Sequence, residues 1–283
     1  MMSRITLAQR LAGVLCCAAV FGLTSETHAD FYAYAVQQTS GYSITGSTIG
    51  DLTPLSTTSA AQVGSPTGGD VHTGGFDAVQ AYVGPAAGKP AENTFTPLGQ
   101  TNASYVRGDA LVTTGAAFGT NNVAEAYLTG AGNSAGSGSW AVSSLITLTA
   151  SGTVTLSFSY TNQLTIVNTG SPYPGTVAAD YGYTFTIQNA NGTTAFTISP
   201  DALNKNLSLG STGSITSGTP TSTMISLTST TLAAGTYTAT ISGSEHTFIN
   251  AAVPEPSSII SAALGLTLLG GAGLRNRFRR SGK

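Results

Sequence analysis

The stretch from Asp30 to Ala252 predicts an all-β fold, an antiparallel β-sandwich or jelly-roll-like ectodomain, on three observations. Thr153 to Tyr160 alternates strictly, with Val154, Leu156, Phe158 and Tyr160 on one face and Thr153, Thr155, Ser157 and Ser159 on the other. That is the period of a half-buried strand. Tyr181, Tyr183, Phe185 and Ile187 repeat the pattern, and Asn189-Ala190-Asn191-Gly192 turns the chain back into Thr194, Phe196 and Ile198. No long helical periodicity competes with these short alternating runs, which are joined by Gly and Asn turns.

Taken in order, Tyr32, Tyr34 and Val36 alternate with smaller residues and start a strand. Thr53 to Gly75 is dominated by Gly, Ser, Thr and Pro and reads as loop, and Gly84-Pro85 and Lys89-Pro90 continue the irregular character. Tyr105 to Thr113 and Val123 to Leu128 read as strands, and Gly130 to Ser139 as a Gly/Ser-rich connection. Leu145 to Thr149 and Thr153 to Tyr160 flank Ala150-Ser151-Gly152 and read as a hairpin, with Trp140 as a core anchor just upstream. Met224 to Leu227, Tyr237 to Ile241 and His246 to Ile249 add three short strands, the middle one introduced by Ala234-Gly235.

Charge is distributed unevenly. Seven of the ten basic residues lie in the first 29 or the last nine positions, which leaves Lys89, Arg107 and Lys205 against ten acids between Asp30 and Ala252, a net of −7. Nucleic acid is therefore excluded as a partner, since binding it requires cations that neutralise phosphates. Cys16 and Cys17 are the only cysteines. With the N-terminal segment removed, disulfides, thiol catalysis and Cys-type zinc sites are excluded together.

Little catalytic chemistry is visible. A nucleophilic Ser or Thr needs a base and a group to orient it, and between residues 30 and 252 the only histidines are His72 and His246. His246 falls in an expected strand and reads as an exposed or hydrogen-bonded strand residue. Asp70, His72 and Asp77 lie in Gly68-Gly69-Asp70-Val71-His72-Thr73-Gly74-Gly75-Phe76-Asp77, which reads as a solvated turn, the alternative being a cation or sugar site on a loop; calcium needs several convergent oxygens, which this stretch does not guarantee. Among the scattered acids, Asp109 with Glu125 is the one carboxylate pair to consider for glycosidase-type chemistry. No catalytic residue, no metal and no cofactor is assigned. The many tyrosines, Tyr32, Tyr34, Tyr42, Tyr82 and Tyr105 among them, read as core and cross-strand residues. An exposed tyrosine face for stacking on sugars is the alternative.

The two ends carry targeting signals. Met1 to Ala29 reads as a secretory signal peptide: Arg4 and Arg10 form a positive start, Leu11 to Leu23 an apolar run, and Thr27-His28-Ala29 a small-x-small cleavage site. Leu15 precedes Cys16 where a lipoprotein signal has a small residue, which argues against lipidation.

At the other end, Val253, Pro254, Glu255 and Pro256 precede an uncharged apolar run from Ser257 to Leu274 and then Arg275, Arg277, Arg279, Arg280 and Lys283. As a helix the run covers roughly 27 Å, close to the ~30 Å hydrocarbon core of a bilayer, and reads as a transmembrane helix over 257–274. The basic end at 275–283 resists translocation and stays in the cytoplasm, so residues 30–252 lie outside. Both prolines keep their segment extended and out of the helix.

Pro-Glu-Pro, a marginal spanning helix and an arginine-rich end at the C-terminus together resemble the PEP-CTERM sorting signal, over Val253 to about Arg280. The resemblance implies a secreted, non-enzymatic surface or extracellular-matrix protein of a Gram-negative bacterium. It would be held transiently in the inner membrane and processed by an exosortase that recognises Pro254-Glu255-Pro256. It also implies association with exopolysaccharide, as in a biofilm. The alternative is a carbohydrate-binding or adhesion module delivered by the same tail.

Overall fold

The computed structural model describes residues 30–46, 54–65, 68–74, 79–92, 94–113, 118–169 and 174–252. Thirteen strands run through them: β1 (Asp30–Thr45), β2 (Pro54–Ser65), β3 (Gly68–Gly74), β4 (Val79–Val83), β5 (Tyr105–Thr113), β6 (Gly119–Thr129), β7 (Gly132–Leu148), β8 (Thr155–Asn168), β9 (Gly175–Asn189), β10 (Thr194–Ile198), β11 (Lys205–Leu209), β12 (Gly213–Thr228) and β13 (Gly235–Ala251). A six-stranded antiparallel sheet has the order β12-β8-β1-β6-β5-β4. A seven-stranded one has the order β10-β9-β13-β7-β2-β3, with β11 also paired to β9.

Alternation along the strands places the core between the two sheets. One cluster gathers Trp140, Phe158, Tyr183, Phe185 and Ile241, the other Phe31, Leu164, Ile166, Val177 and Ile249. Each such side chain contributes about 1.5–3 kcal/mol on burial. Trp140 is the expected anchor: its ring lies edge-on to Tyr183, with centroids 6.0 Å apart. The 189–192 turn also forms as expected, with Gly192 at φ 81° and its N–H donating to the Asn189 carbonyl at 2.8 Å.

Four expectations fail. Residues expected as loop between Thr53 and Gly75 form the hairpin of β2 and β3, with β2 paired along β7. The Gly/Ser-rich stretch at 130–139 is not a connection, because from Gly132 it is the start of β7. Its glycines face inward: a Cβ on Gly136 would lie 2.6 Å from the Arg107 carbonyl oxygen, and one on Gly138 would lie 2.8 Å from that of Asp109. Glycine here lets the backbones of the two sheets meet.

The third failure is the hairpin after Trp140. β7 and β8 belong to different sheets, and the chain arches from one to the other. The arch is held by a second one between β12 and β13: Gly152 N–H donates to the Leu232 carbonyl at 3.0 Å, and Leu232 N–H donates back at 2.8 Å. Fourth, Tyr237–Ile241 and His246–Ile249 are two halves of one strand, β13, and Met224–Leu227 is part of the sixteen-residue β12. Gly243 breaks the apolar alternation of β13 because the Trp140 ring lies over it, 2.6 Å from where a Cβ would stand.

Candidate functional site

Polar side chains concentrate at three places. The first is the outer face of the six-stranded sheet, where Arg107 on β5 stands directly across from Glu125 on β6. Arg107 Nε donates to Glu125 Oε2 at 2.7 Å, and neither side chain is exposed. The remaining guanidinium nitrogens donate to the carbonyls of Thr94 and Thr96. Glu125 also accepts from the Tyr32 hydroxyl at 2.7 Å, the Tyr105 hydroxyl at 2.8 Å and the backbone N–H groups of Leu98 and Gly99. Burial and then the Glu125 charge push both phenols far above the ordinary tyrosine range. This network ties the irregular segment around residues 94–99 onto the sheet, over an aromatic layer of Tyr32, Tyr34, Tyr105 and Tyr127.

The second place is inside the sandwich, between the two apolar clusters. Gln37 on β1, Asn122 on β6 and Glu245 on β13 are all fully buried. Their side-chain oxygens and nitrogens have no hydrogen-bond partner among the described residues. Burial pushes the Glu245 carboxyl well above the usual carboxylate range; the neighbouring Asn122 amide opposes that shift, and the Asp180 charge adds to it.

The third is the outer face of the seven-stranded sheet. His246 on β13 lies between Ser137 on β7 and Asp180 on β9 in register, and its Nδ1 is 2.9 Å from Asp180 Oδ1. The hydrogen bond to Asp180 raises the imidazole pKa against a smaller opposing effect of burial. One row further along, a shallow cavity of about 270 Å³ is lined by Ser139, Gly182, Thr184, Asn204, Ser242 and Ser244. One row the other way stands Phe248, 44% exposed.

These placements settle several sequence expectations. Asp109 and Glu125 share a face, but Asp109 accepts from Gln80 Nε2 at 3.0 Å and Glu125 is taken up by Arg107, so they are not a free carboxylate pair. Asp70 and His72 lie on β3 rather than in a turn, opposite Val63 and Ala61, and Asp77 lies outside the described residues. Among the described residues no group of three or more His, Cys, Asp and Glu could hold a metal. Among the described residues an exposed tyrosine face is not formed: Tyr32, Tyr34, Tyr105, Tyr160, Tyr181, Tyr183 and Tyr237 are buried, and Tyr42 and Tyr82 are half-buried.

His246 is the exposed, hydrogen-bonded strand residue that the sequence predicts, and its partner is Asp180. No Ser or Thr hydroxyl is hydrogen-bonded to His246 among the described residues. Arg107 and Phe248 were overlooked. Phe248 was legible, because it shares the parity of His246 and lies opposite the core parity of Tyr237, Ala239 and Ile241.

The signal peptide at 1–29, the motif Val253, Pro254, Glu255 and Pro256, the helix at 257–274 and the arginines Arg275, Arg277, Arg279 and Arg280 lie outside the described residues. Among the described residues no helix is long and apolar enough to cross a membrane. No curated protein and no solved structure matches the chain. Residues 252–280, however, match the PEP-CTERM protein-sorting motif, which marks an exosortase-targeted, exported protein that passes through a membrane-anchored stage before processing. The C-terminal tail is thus a PEP-CTERM sorting signal, appended to an all-β domain.

Proposed function

We propose that the chain is a non-enzymatic extracellular protein, cut at its tail by an exosortase and retained at the cell surface or in an exopolysaccharide matrix. The match at residues 252–280 carries this reading. In it, Met1–Ala29 directs export, the 257–274 helix halts the chain with Arg275, Arg277, Arg279 and Arg280 inside, and Pro254-Glu255-Pro256 is presented at the outer surface of the membrane.

The described side chains support a structural role. Arg107, Glu125 and Asp109 are occupied in holding the fold, and Glu245 is sealed within it. A domain whose buried charged groups serve its own structure is suited to persist outside the cell without cysteines to staple it.

The test is exosortase dependence. Produced in a host with and without exosortase, the protein is expected to leave the membrane only where the enzyme is present. Replacing Pro254, Glu255 and Pro256 by alanine is expected to strand it in the membrane. Release of that triple variant at the normal rate would overturn the reading.

A further inference from the structure

We infer that the outer face of the seven-stranded sheet binds a neutral polysaccharide, with Phe248 as stacking platform, Asp180, His246 and Asn206 as hydrogen-bonding groups, and the neighbouring hydroxyl trough as a further subsite. This rests on the matrix association proposed above and gives it a location.

The register of three central strands assembles the site. Across β7, β13 and β9 the outward rows read Ala135-Phe248-Ala178, Ser137-His246-Asp180, Ser139-Ser244-Gly182 and Ala141-Ser242-Thr184. On the far side of β9, β11 places Asn206 beside Asp180 and Ser208 beside Ala178. Successive rows are about 7 Å apart, since every second residue of a strand faces the same way.

Phe248 stands between two alanines, which are too short to cover its ring. An aromatic side chain left open in this way loses apolar burial that an inward position would have given it. The apolar face of a sugar ring is the partner whose shape matches it. The neighbouring row supplies what the equatorial hydroxyls of such a ring need: the Asp180 carboxylate as acceptor, the His246 ring as donor or acceptor, and the exposed Asn206 amide as both. His246 Nδ1 is fixed by Asp180, which leaves Nε2 directed away from that bond.

Beyond them, the trough of about 270 Å³ is floored by Gly182 and Gly243 and edged by Ser139, Ser242 and Ser244. The Asn204 side chain shapes its wall, donating to the Tyr183 and Pro200 carbonyls and accepting from Tyr183 N–H at 3.0 Å. Few-atom side chains here let a flat ligand approach the sheet closely.

Charge decides which polysaccharide. Of the three basic residues between 30 and 252, Arg107 is buried on the other sheet, and these rows contain none of the three; Lys205 precedes Asn206 on β11 but pairs with Tyr181, on the opposite parity. An acidic polymer would meet the Asp180 carboxylate, and in these rows the one group able to carry positive charge, His246, is already paired with Asp180, so an uncharged ligand fits best. A protein partner would need a wider apolar patch than Phe248, with Leu145 exposed several rows away.

The experiment is affinity electrophoresis of the full-length protein through gels containing a neutral glucan, a neutral galactan or an acidic uronic-acid polymer. Wild type is expected to be retarded by a neutral polymer, Phe248→Ala about tenfold more weakly, and Asp180→Asn also more weakly. Leu145→Ala, on the same face but away from the rows, is expected to match wild type. All three variants change exposed or half-exposed positions and should unfold like wild type. Retardation of wild type by no neutral polymer would refute glycan binding itself. Equal retardation of wild type and Phe248→Ala would show that glycan binds elsewhere and refute this site. Retardation by the acidic polymer alone, abolished by salt, would refute the ligand class.

Discussion

Arg107 and Glu125 form an ion pair with 0% exposure on both sides, yet it lies outside the hydrophobic core, on the outer face of the six-stranded sheet. Four donors besides Arg107 reach the Glu125 carboxylate: the hydroxyls of Tyr32 and Tyr105 and the backbone N–H groups of Leu98 and Gly99. Leu98 and Gly99 donate to Glu125 while the Thr94 and Thr96 carbonyls accept from Arg107, so the pair ties the backbone of this irregular segment to the sheet through side-chain bonds. Between β4 and β5 the described residues form one short 3-10 turn, at Ala86–Gly88, and this network anchors the segment at 94–99.

Glu125→Ala leaves a guanidinium buried without its counter-charge. It is expected to lower unfolding free energy by about 3–5 kcal/mol and to open the segment around residues 94–99 to protease. Replacing both partners, Arg107→Met with Glu125→Leu, is expected to restore part of the loss, because no charge is then stranded. Urea unfolding measures both effects, and a loss below about 1 kcal/mol for Glu125→Ala would show that the pair does not hold the fold.

Gly138→Ala puts a methyl group 2.8 Å from the Asp109 carbonyl and 3.1 Å from that of Val123, and these backbone atoms cannot retreat without parting the sheets. A loss of about 1–3 kcal/mol is expected. Gly210→Ala, where nothing lies within 4 Å, serves as control and is expected to be neutral or slightly stabilising. Equal melting of the two variants would contradict the close approach of β7 to β5.

Stability is expected to fall as pH rises. The Glu245 carboxyl has its folded pKa raised by burial, so the folded state holds a proton that the unfolded chain releases at the ordinary carboxylate value of about 4.5. That contribution is complete below about pH 4.5 and is lost progressively as pH climbs toward the raised value. His246, raised by Asp180, changes stability in the same direction above its ordinary value of 6.5, with a smaller effect because it is half exposed. Thermal melts of wild type and Glu245→Gln across this range separate the two. The variant is expected to lose most of the slope, and an unchanged slope would remove Glu245 as its source.

Much of the core was legible in the sequence because alternation reports burial directly. Leu156, Phe158, Tyr183, Phe185 and Ile187 all point inward as their parity requires. What alternation does not report is which sheet a strand joins. Leu148 and Thr155 flank a turn whose composition suits a hairpin and an arch equally, and the bonds from Gly152 to Leu232 that decide it span 80 positions. The glycines of β7 misled for another reason: glycine signals a loop in isolation, and only the carbonyls of Arg107 and Asp109 opposite show why no side chain is tolerated there. The Arg107–Glu125 pair was hidden by its eighteen-residue separation, although both residues sit on expected strands. The sorting tail was read from the sequence because its order and spacing are local.

Whether the tail works as a sorting signal is tested most directly by mass spectrometry of the C-terminal peptide from protein recovered outside cells that contain exosortase. If the signal at 252–280 is processed, the recovered chain lacks Arg275, Arg277, Arg279, Arg280 and Lys283. Extracellular protein that still ends in Lys283 would contradict it.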